Sequence, residues 1–221
     1  MNNSAVGTAP TDSNKYIAGE SVTVAAAPAT PAGYESFSGW KRGGSNAGDS
    51  FAMPAENVTL TGTFTPITYT IGYTLNDGTV TGTNPTSYNV ESATITLNNP
   101  TRTGYTFKGW SGTDLTGDEN TSVIISTGSI GDRTYTANFA LDSYTISYDL
   151  DGGTVSGTNP ASYTIESALI TLINPTREGY RFMGWSGTGL TGETNTTVTI
   201  PTGSTGNRSY TATWAPEYTV T

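Results

Sequence analysis

The stretch "GYTFKGW" at residues 104–110 returns as "GYRFMGW" at residues 179–185, and a looser form, "GYESFSGW", stands at residues 33–40. Each copy is Gly-Tyr, then Phe, then Gly-Trp. Around it, residues 69–140 align with residues 144–215 at a constant offset of 75, without a gap and with roughly two positions in three identical. An internal repeat of this length indicates an array of similar modules.

Four segments follow from this alignment. Residues 67–141 and 142–216 are predicted to be complete modules. Residues 1–66 are predicted to be a divergent module that lacks its first strand: "GTAP" at 7–10 matches "GTNP" at 82–85, and the ending "MPAENVTLTGTF" is shorter than its counterparts. Residues 217–221, "EYTVT", are predicted to be the first strand of a following module.

The apolar residues of each complete module alternate with polar ones, which indicates strands rather than helices. Asp-Gly, Asn-Pro and Gly-rich segments between them favour turns. We therefore predict a β-dominated chain, all-β or α+β, with about five short strands in one mixed sheet per module and at most one helical turn, in "NPTSYNVES" (residues 84–92). The side chains predicted to form the repeat core are Tyr69, Ile71, Tyr73, Ile95, Leu97, Tyr105, Phe107, Phe139, Tyr144, Ile146, Tyr148, Ile170, Leu172, Tyr180, Phe182 and Trp214.

The tryptophan of the repeated cluster has two interpretations. Strict alternation turns Trp110 away from Tyr105 and Phe107, but a bulge at Gly109 would turn it inward. Burial is favoured, because a small module without disulfides needs its largest side chains in its core. The alternative is a row of exposed indoles, Trp40, Trp110 and Trp185, that stack on sugar rings. No other binding residues are predicted.

Composition excludes several function classes. The net charge is −9 with 12% charged residues, so no basic field attracts nucleic acid, and no apolar run is long enough to cross a membrane. The chain has no Cys and no His, which removes the common transition-metal ligands and the usual catalytic bases. Asp114, Asp118 and Glu119 would suit a weak calcium site, but a solvated loop is favoured. We predict no enzyme activity, catalytic residue, metal or cofactor.

The motifs as a set resemble the internalin B-repeat family, also called the Listeria–Bacteroides repeat. They are "YTIxYxLxGG", "NPxxY", "LxxPTRxGYxFxGW" and "GSxGxRxYTAxW", and they run through both complete modules, with Asp77 and Phe139 as the departures in the middle one. The resemblance implies β-grasp-like modules, each a small twisted sheet crossed by a short helix or turn. It also implies tandem arrays in secreted or wall-attached bacterial proteins, acting as stalks or as adhesive modules without catalytic residues.

Two functions are therefore predicted for comparison. The first is a non-catalytic stalk or adhesion segment at the bacterial cell surface or cell wall, in contact with an unidentified protein or glycan on a cell or matrix. Its linkers are short, and three modules in line would span roughly 90 Å. The alternative is a glycan-binding array with one Trp per repeat. Residues Glu217–Thr221 are also expected to support self-association, by strand addition to the first module of a neighbour.

Overall fold

The structure, a computed structural model, describes residues 11–220. The predicted correspondence at residues 7–10 and the last residue of the predicted spare strand, Thr221, lie outside this range. The described residues form strands, turns and loops, with no helix among them. Consequently the described part of the chain contains no helix that could span a membrane.

By its internal contacts the chain divides into two compact units. Unit 1 comprises the chain up to Asn76, Val80–Asn99 and Gly109–Ala137. Unit 2 comprises Asp77–Thr79, Pro100–Lys108 and the chain from Asn138 onward. The division passes through the middle repeat, and the module boundaries derived from the sequence repeat remain predictions.

From residue 11 onward, the divergent first repeat has five short strands in two small sheets. Strands β1 and β4 pair antiparallel, and β2 pairs antiparallel with both β3 and β5. The strands are β1 (Ser21–Thr23), β2 (Lys41–Arg42), β3 (Ser45–Asn46), β4 (Ser50–Ala52) and β5 (Leu60–Thr61).

The middle repeat contains a four-stranded mixed sheet in the order β11-β13-β6-β8, with two-stranded sheets β7–β10 and β9–β12 beside it. Strands β13 and β6 run parallel and β6 and β8 antiparallel. The strands are β6 (Tyr69–Thr74), β7 (Thr79–Val80), β8 (Ser87–Tyr88), β9 (Ile95–Thr96), β10 (Pro100–Thr101), β11 (Tyr105–Gly112), β12 (Ile124–Ile125) and β13 (Arg133–Leu141).

The last repeat has the same plan. Its sheet has the order β15-β14-β19-β17, with β14 and β19 parallel and the outer pairs antiparallel, and β16 pairs with β18 in a separate ribbon. The strands are β14 (Tyr144–Asp149), β15 (Ser162–Tyr163), β16 (Ile170–Thr171), β17 (Tyr180–Gly187), β18 (Thr199–Ile200) and β19 (Arg208–Pro216). Residues 217–220 belong to no strand.

The core of the last repeat lies between the sheet and the ribbon. Sheet residues Ile146, Trp185 and Tyr210 share one buried cluster with the ribbon residue Ile200 and its neighbour Val198. A second strand pair therefore contributes the layer that a helix would provide in a β-grasp module, and the β-grasp-like description is not confirmed.

The predicted β class and mixed sheet are confirmed, but the strand count is wrong. The complete repeats have eight and six strands rather than about five, because two-residue pairings form between segments that show no alternating pattern of their own. The segment that could hold one helical turn forms a strand and a turn instead: Ser87 and Thr70 are paired, so this segment forms the edge of the sheet.

Candidate functional site

The two tryptophans of the complete repeats are buried. Trp110 and Trp185 have no exposed side-chain surface. In the last repeat, the ring centroid of Trp185 lies 5.6 Å from that of Phe182, 6.1 Å from that of Tyr148 and 6.5 Å from that of Tyr210. One Trp removes about 200 Å² from water, an upper limit of about 5 kcal/mol. The repeated aromatic cluster is therefore the centre of the hydrophobic core.

A β-bulge of the kind that the sequence predicts turns the indole of the last repeat inward. The register between β17 and β19 shifts between Phe182 and Gly184, and Gly184 has a φ of 147°. A Cβ at Gly184 would lie 2.4 Å from the backbone nitrogen of Asn195. Only glycine allows this close approach, and without the bulge Trp185 would lie on the opposite face from Phe182.

Each buried indole N–H has a matched acceptor. Trp185 Nε1 donates to Asn174 Oδ1 over 2.9 Å, and Trp110 Nε1 donates to Asn99 Oδ1 over 2.9 Å. Asn195 closes the bulge, because its Nδ2 donates to the Trp185 carbonyl over 2.9 Å. Two of the three indoles are thus enclosed and satisfied, so the glycan alternative, which requires exposed rings, is wrong for Trp110 and Trp185.

Trp40 in the divergent repeat has a different environment. It is half-buried and packs against Phe37 with 4.9 Å between ring centroids, and its Nε1 is enclosed but has no hydrogen-bond partner within residues 11–220. It lines a cavity of about 860 Å³ together with Val22, Phe51 and Leu60. In the complete repeats the first strand places Tyr73 against Trp110 and Tyr148 against Trp185. No strand that corresponds to this first strand is predicted in the first repeat.

The predicted core residues differ in burial. Ile71, Leu97, Ile146 and Leu172 are buried, and Tyr180 is 38% exposed. The other members are half-buried: Tyr69, Tyr73, Ile95, Tyr105, Phe107, Phe139, Tyr144, Tyr148, Ile170, Phe182 and Trp214. Burial raises the pKa of Tyr73 to about 12 and that of Tyr148 to about 12.

Sequence reasoning missed a buried tyrosine–arginine pair in each complete repeat. Tyr88 is buried at the sheet edge, donates from its hydroxyl to the Gly131 carbonyl over 2.6 Å and accepts from Arg133 Nε over 2.9 Å. Tyr163 and Arg208 form the same contact over 3.0 Å. The signal was present in the sequence, since both pairs recur at the repeat offset, but Tyr88 lies in the segment interpreted as a helical turn.

The acidic loop of the middle repeat does not gather carboxylates. Asp114 instead forms an ion pair with Arg133 over 2.6 Å. Within the described residues no three Asp, Glu, His or Cys side chains come close enough to hold a metal ion. The loop geometry thus favours the ion pair over a calcium site.

The glycine and tyrosine that open the repeated cluster form a second recurring feature, which we call the Gly-Tyr corner. It comprises Gly33 and Tyr34, Gly104 and Tyr105, or Gly179 and Tyr180. In unit 1, the Tyr34 hydroxyl donates to Glu91 Oε1 over 3.0 Å. In unit 2, the Tyr105 hydroxyl donates to the Glu166 carboxylate, and this hydrogen bond raises the pKa of Tyr105. Both glutamates come from the following repeat.

The sequence did not reveal this contact. Glu91 and Glu166 occupy matching positions in the two complete repeats, in an exposed turn where a local role is sufficient to explain an acidic residue. Their partners, Tyr34 and Tyr105, lie 57 and 61 residues away in the preceding repeat. Aligning the repeats with one another shows which positions are equivalent. It does not show which non-equivalent residues of neighbouring repeats are in contact.

Comparison with known proteins identifies the repeats. The model of the Listeria-Bacteroides repeat domain matches residues 69–137 and 144–212, and the model of the divergent InlB B-repeat domain matches residues 1–68. Internalin H of Listeria monocytogenes serovar 1/2a is 35% identical over 86 residues, which are 39% of this chain and 15% of Internalin H. No solved structure matches the chain.

Proposed function

Because the chain belongs to the Listeria-Bacteroides repeat domain family, we propose that it is a non-catalytic stalk and adhesion segment of a secreted or wall-attached bacterial surface protein. Repeats of this family occur in bacterial surface proteins such as the internalins, and such repeats are generally non-catalytic. The matched part covers 15% of Internalin H, so the activity and partners of a whole surface protein belong to this proposal rather than to the comparison.

The observation that carries the proposal is the use of the recurring residues. Trp110, Trp185 and the tyrosine–arginine pairs are enclosed in the repeats, and Tyr34 and Tyr105 contact the next repeat. Residues that recur serve to build a repeat or to join it to its neighbour. Such a use of the recurring residues is expected of a repeat array that serves as a spacer.

The surface beside the clusters differs between the two complete repeats. Lys108 in the middle repeat is replaced by Met183 in the last, and Thr106 by Arg181. These positions change charge and polarity between copies, so the repeats do not share one reactive site. Contacts with a protein or glycan on another cell or on matrix would then differ from repeat to repeat.

Small-angle scattering of the intact chain tests the stalk role. A linear array of three modules has a maximum dimension of roughly 90 Å, whereas one compact body of this length has a diameter of about 45 Å. A compact particle would overturn the stalk role. Adhesion is tested separately with beads that carry the native or the heat-denatured chain, incubated with cells and matrix. Equal retention of both kinds of bead would overturn the adhesive role.

A further inference from the structure

The Gly-Tyr corner occurs three times with one backbone geometry. Its glycine has a φ of 83°, 77° or 74° in chain order. The carbonyl of that glycine accepts a hydrogen bond from the amide of the linker that leads out of the repeat. The donors are Ile67 to Gly33 over 2.9 Å, Asp142 to Gly104 over 3.0 Å and Glu217 to Gly179 over 2.9 Å. The corner and the start of the linker are therefore built together in all three repeats.

Two of the corners hold a turn of the next repeat. In unit 1 a Cβ at Gly33 would meet Val90 Cγ1 at 2.1 Å, so the side chain of Val90 occupies the space that a side chain at Gly33 would fill. In unit 2 a Cβ at Gly104 would meet Ile165 Cβ at 2.7 Å. In each turn a β-branched residue covers the glycine, and the glutamate after it accepts the tyrosine hydroxyl.

The third corner, Gly179 and Tyr180, has the same glycine and tyrosine but is exposed. Gly104 is buried but Gly179 is exposed, and a Cβ at Gly179 would meet no atom of the described residues within 4 Å. The guanidinium of Arg177 lies over the Tyr180 ring at 4.0 Å, as that of Arg102 lies over the Tyr105 ring at 3.8 Å. Arg177 is also paired with Asp151 over 3.2 Å, so the ring is already held in position.

We propose that the corner formed by Gly179 and Tyr180 is a docking surface for a following repeat module, and that it receives a turn of sequence β-branched residue, Glu, Ser. The occupied corners hold this sequence as Val90-Glu91-Ser92 and Ile165-Glu166-Ser167. The β-branched side chain fills the space over the glycine, and the carboxylate accepts the phenol beside an arginine.

The first repeat of a second copy of this chain is a poorer occupant. At the corresponding turn it has Gly19 before Glu20, so no β-branched side chain is present to cover Gly179. The carboxylate of Glu20 also already accepts the amide of Ile17 over 2.9 Å. The corner therefore selects a complete repeat over the divergent one. This inference goes beyond the proposed function, because it holds whether or not the array is a surface stalk.

The experiment uses three glycine-to-alanine variants at positions with similar positive φ angles, so the backbone strain of alanine is similar in all three. Gly104, Gly179 and Gly192 have φ values of 77°, 74° and 73°. Gly104→Ala places a methyl group against Ile165, whereas Gly179→Ala and Gly192→Ala meet no neighbour. In the present chain we expect Gly104→Ala to lower the melting temperature clearly more than the other two, which should behave alike.

The same variants are then made in a chain extended by one repeat, in which Glu217 is followed by a second copy of residues 143–216. This reproduces the spacing of the occupied corner in unit 2. Gly179→Ala should now be as damaging as Gly104→Ala, while Gly192→Ala should be unchanged. Backbone hydrogen exchange around Tyr180 should be slower in the extended chain by about tenfold, as expected when an exposed edge becomes protected. Tyr180→Phe should reverse part of that protection without unfolding the repeat.

Equal effects of Gly179→Ala and Gly192→Ala in the extended chain would overturn the proposal. Unchanged exchange around Tyr180 would overturn it as well. Neither measurement depends on particle length or on adhesion, so a failure here is distinct from a failure of the stalk role.

Discussion

Replacement of Gly184 by alanine should break the bulge on which the last repeat depends. The added Cβ would lie 2.4 Å from the Asn195 nitrogen and 2.5 Å from the carbonyl carbon of Thr194, both of which are backbone atoms. A side chain could rotate away, but here the chain segment itself must move. That movement weakens the bond from the Trp185 amide to the Asn195 carbonyl, now 2.9 Å, and the return bond from the Asn195 side chain.

Two costs add in this variant. A non-glycine residue at a φ of 147° carries strain of about 1–3 kcal/mol. The overlap with the backbone of Asn195 adds about 1–3 kcal/mol, as for other insertions into packed cores. Gly192→Ala is the matched control, because Gly192 has a φ of 73° and its Cβ would meet nothing within 4 Å, so its cost is about 1–2 kcal/mol of strain alone.

Differential scanning calorimetry of the intact chain measures the difference. For a module of this size, each kcal/mol lowers the melting temperature by about 4–8 °C. The strain costs of the two variants largely cancel, so the overlap of about 1–3 kcal/mol should lower the transition of the last repeat about 4–24 °C further in Gly184→Ala than in Gly192→Ala, together with a red shift of Trp185 emission. Gly109→Ala provides a repeat of the test in the middle module. Transitions of both variants within a few degrees of each other would refute the argument that the bulge requires glycine.

Three further predictions concern the core and the chain end. Asn174→Ala should lower the free energy of unfolding by about 1–3 kcal/mol, because it leaves the Trp185 indole N–H without its acceptor. In a double-mutant cycle measured by urea denaturation, the same substitution should cost much less in a Trp185→Phe background, which has no indole N–H; equal costs in both backgrounds would contradict this. Tyr73 and Tyr148 have folded pKa values raised to about 12 from 10.0, so their contribution is complete below pH 10 and is lost as the pH rises to about 12; the urea midpoint should be lower at pH 11 than at pH 9, and an unchanged midpoint would argue against their burial. Deletion of residues Glu217–Thr221 should abolish concentration-dependent association in analytical ultracentrifugation, and a monomer before and after deletion would remove strand addition.

Local pattern was sufficient to predict the long strands and the bulge. Period-two alternation placed strands at Tyr69–Thr74 and Tyr144–Asp149, where the structure has them. A glycine before the tryptophan indicated the bulge, because a residue without a Cβ is needed where two backbones meet. These features depend on residues that are close in sequence, so a single sequence is enough to predict them.

The remaining features depend on residues far apart in sequence. The acceptors of the buried indoles, Asn99 and Asn174, come from segments that pattern alone assigns to turns, where asparagine is common for local reasons. The ribbons β9–β12 and β16–β18 need partners 28 or 30 residues away to become strands, as Ile125 needs Ile95. Local propensity does not contain this information, so the strand count was predicted incorrectly and the strand at Ser87 was not identified.

The comparison of the two complete repeats explains why an exposed turn is kept while its surroundings change. Among exposed positions after the turn, Thr94 becomes Leu169 and Asn98 becomes Ile173, which shows that these sites tolerate large changes in polarity. Glu91 and Glu166 are also exposed, yet they are identical, and the residue before each stays β-branched. Core packing does not require that pair, because both side chains are exposed. The contact with Tyr34 or Tyr105 of the preceding repeat accounts for it, since the glutamate side chain reaches the phenol and its carboxylate accepts the hydrogen bond of the hydroxyl. The residues shared by the repeats therefore comprise two sets, one that closes each core and one that joins each repeat to the next.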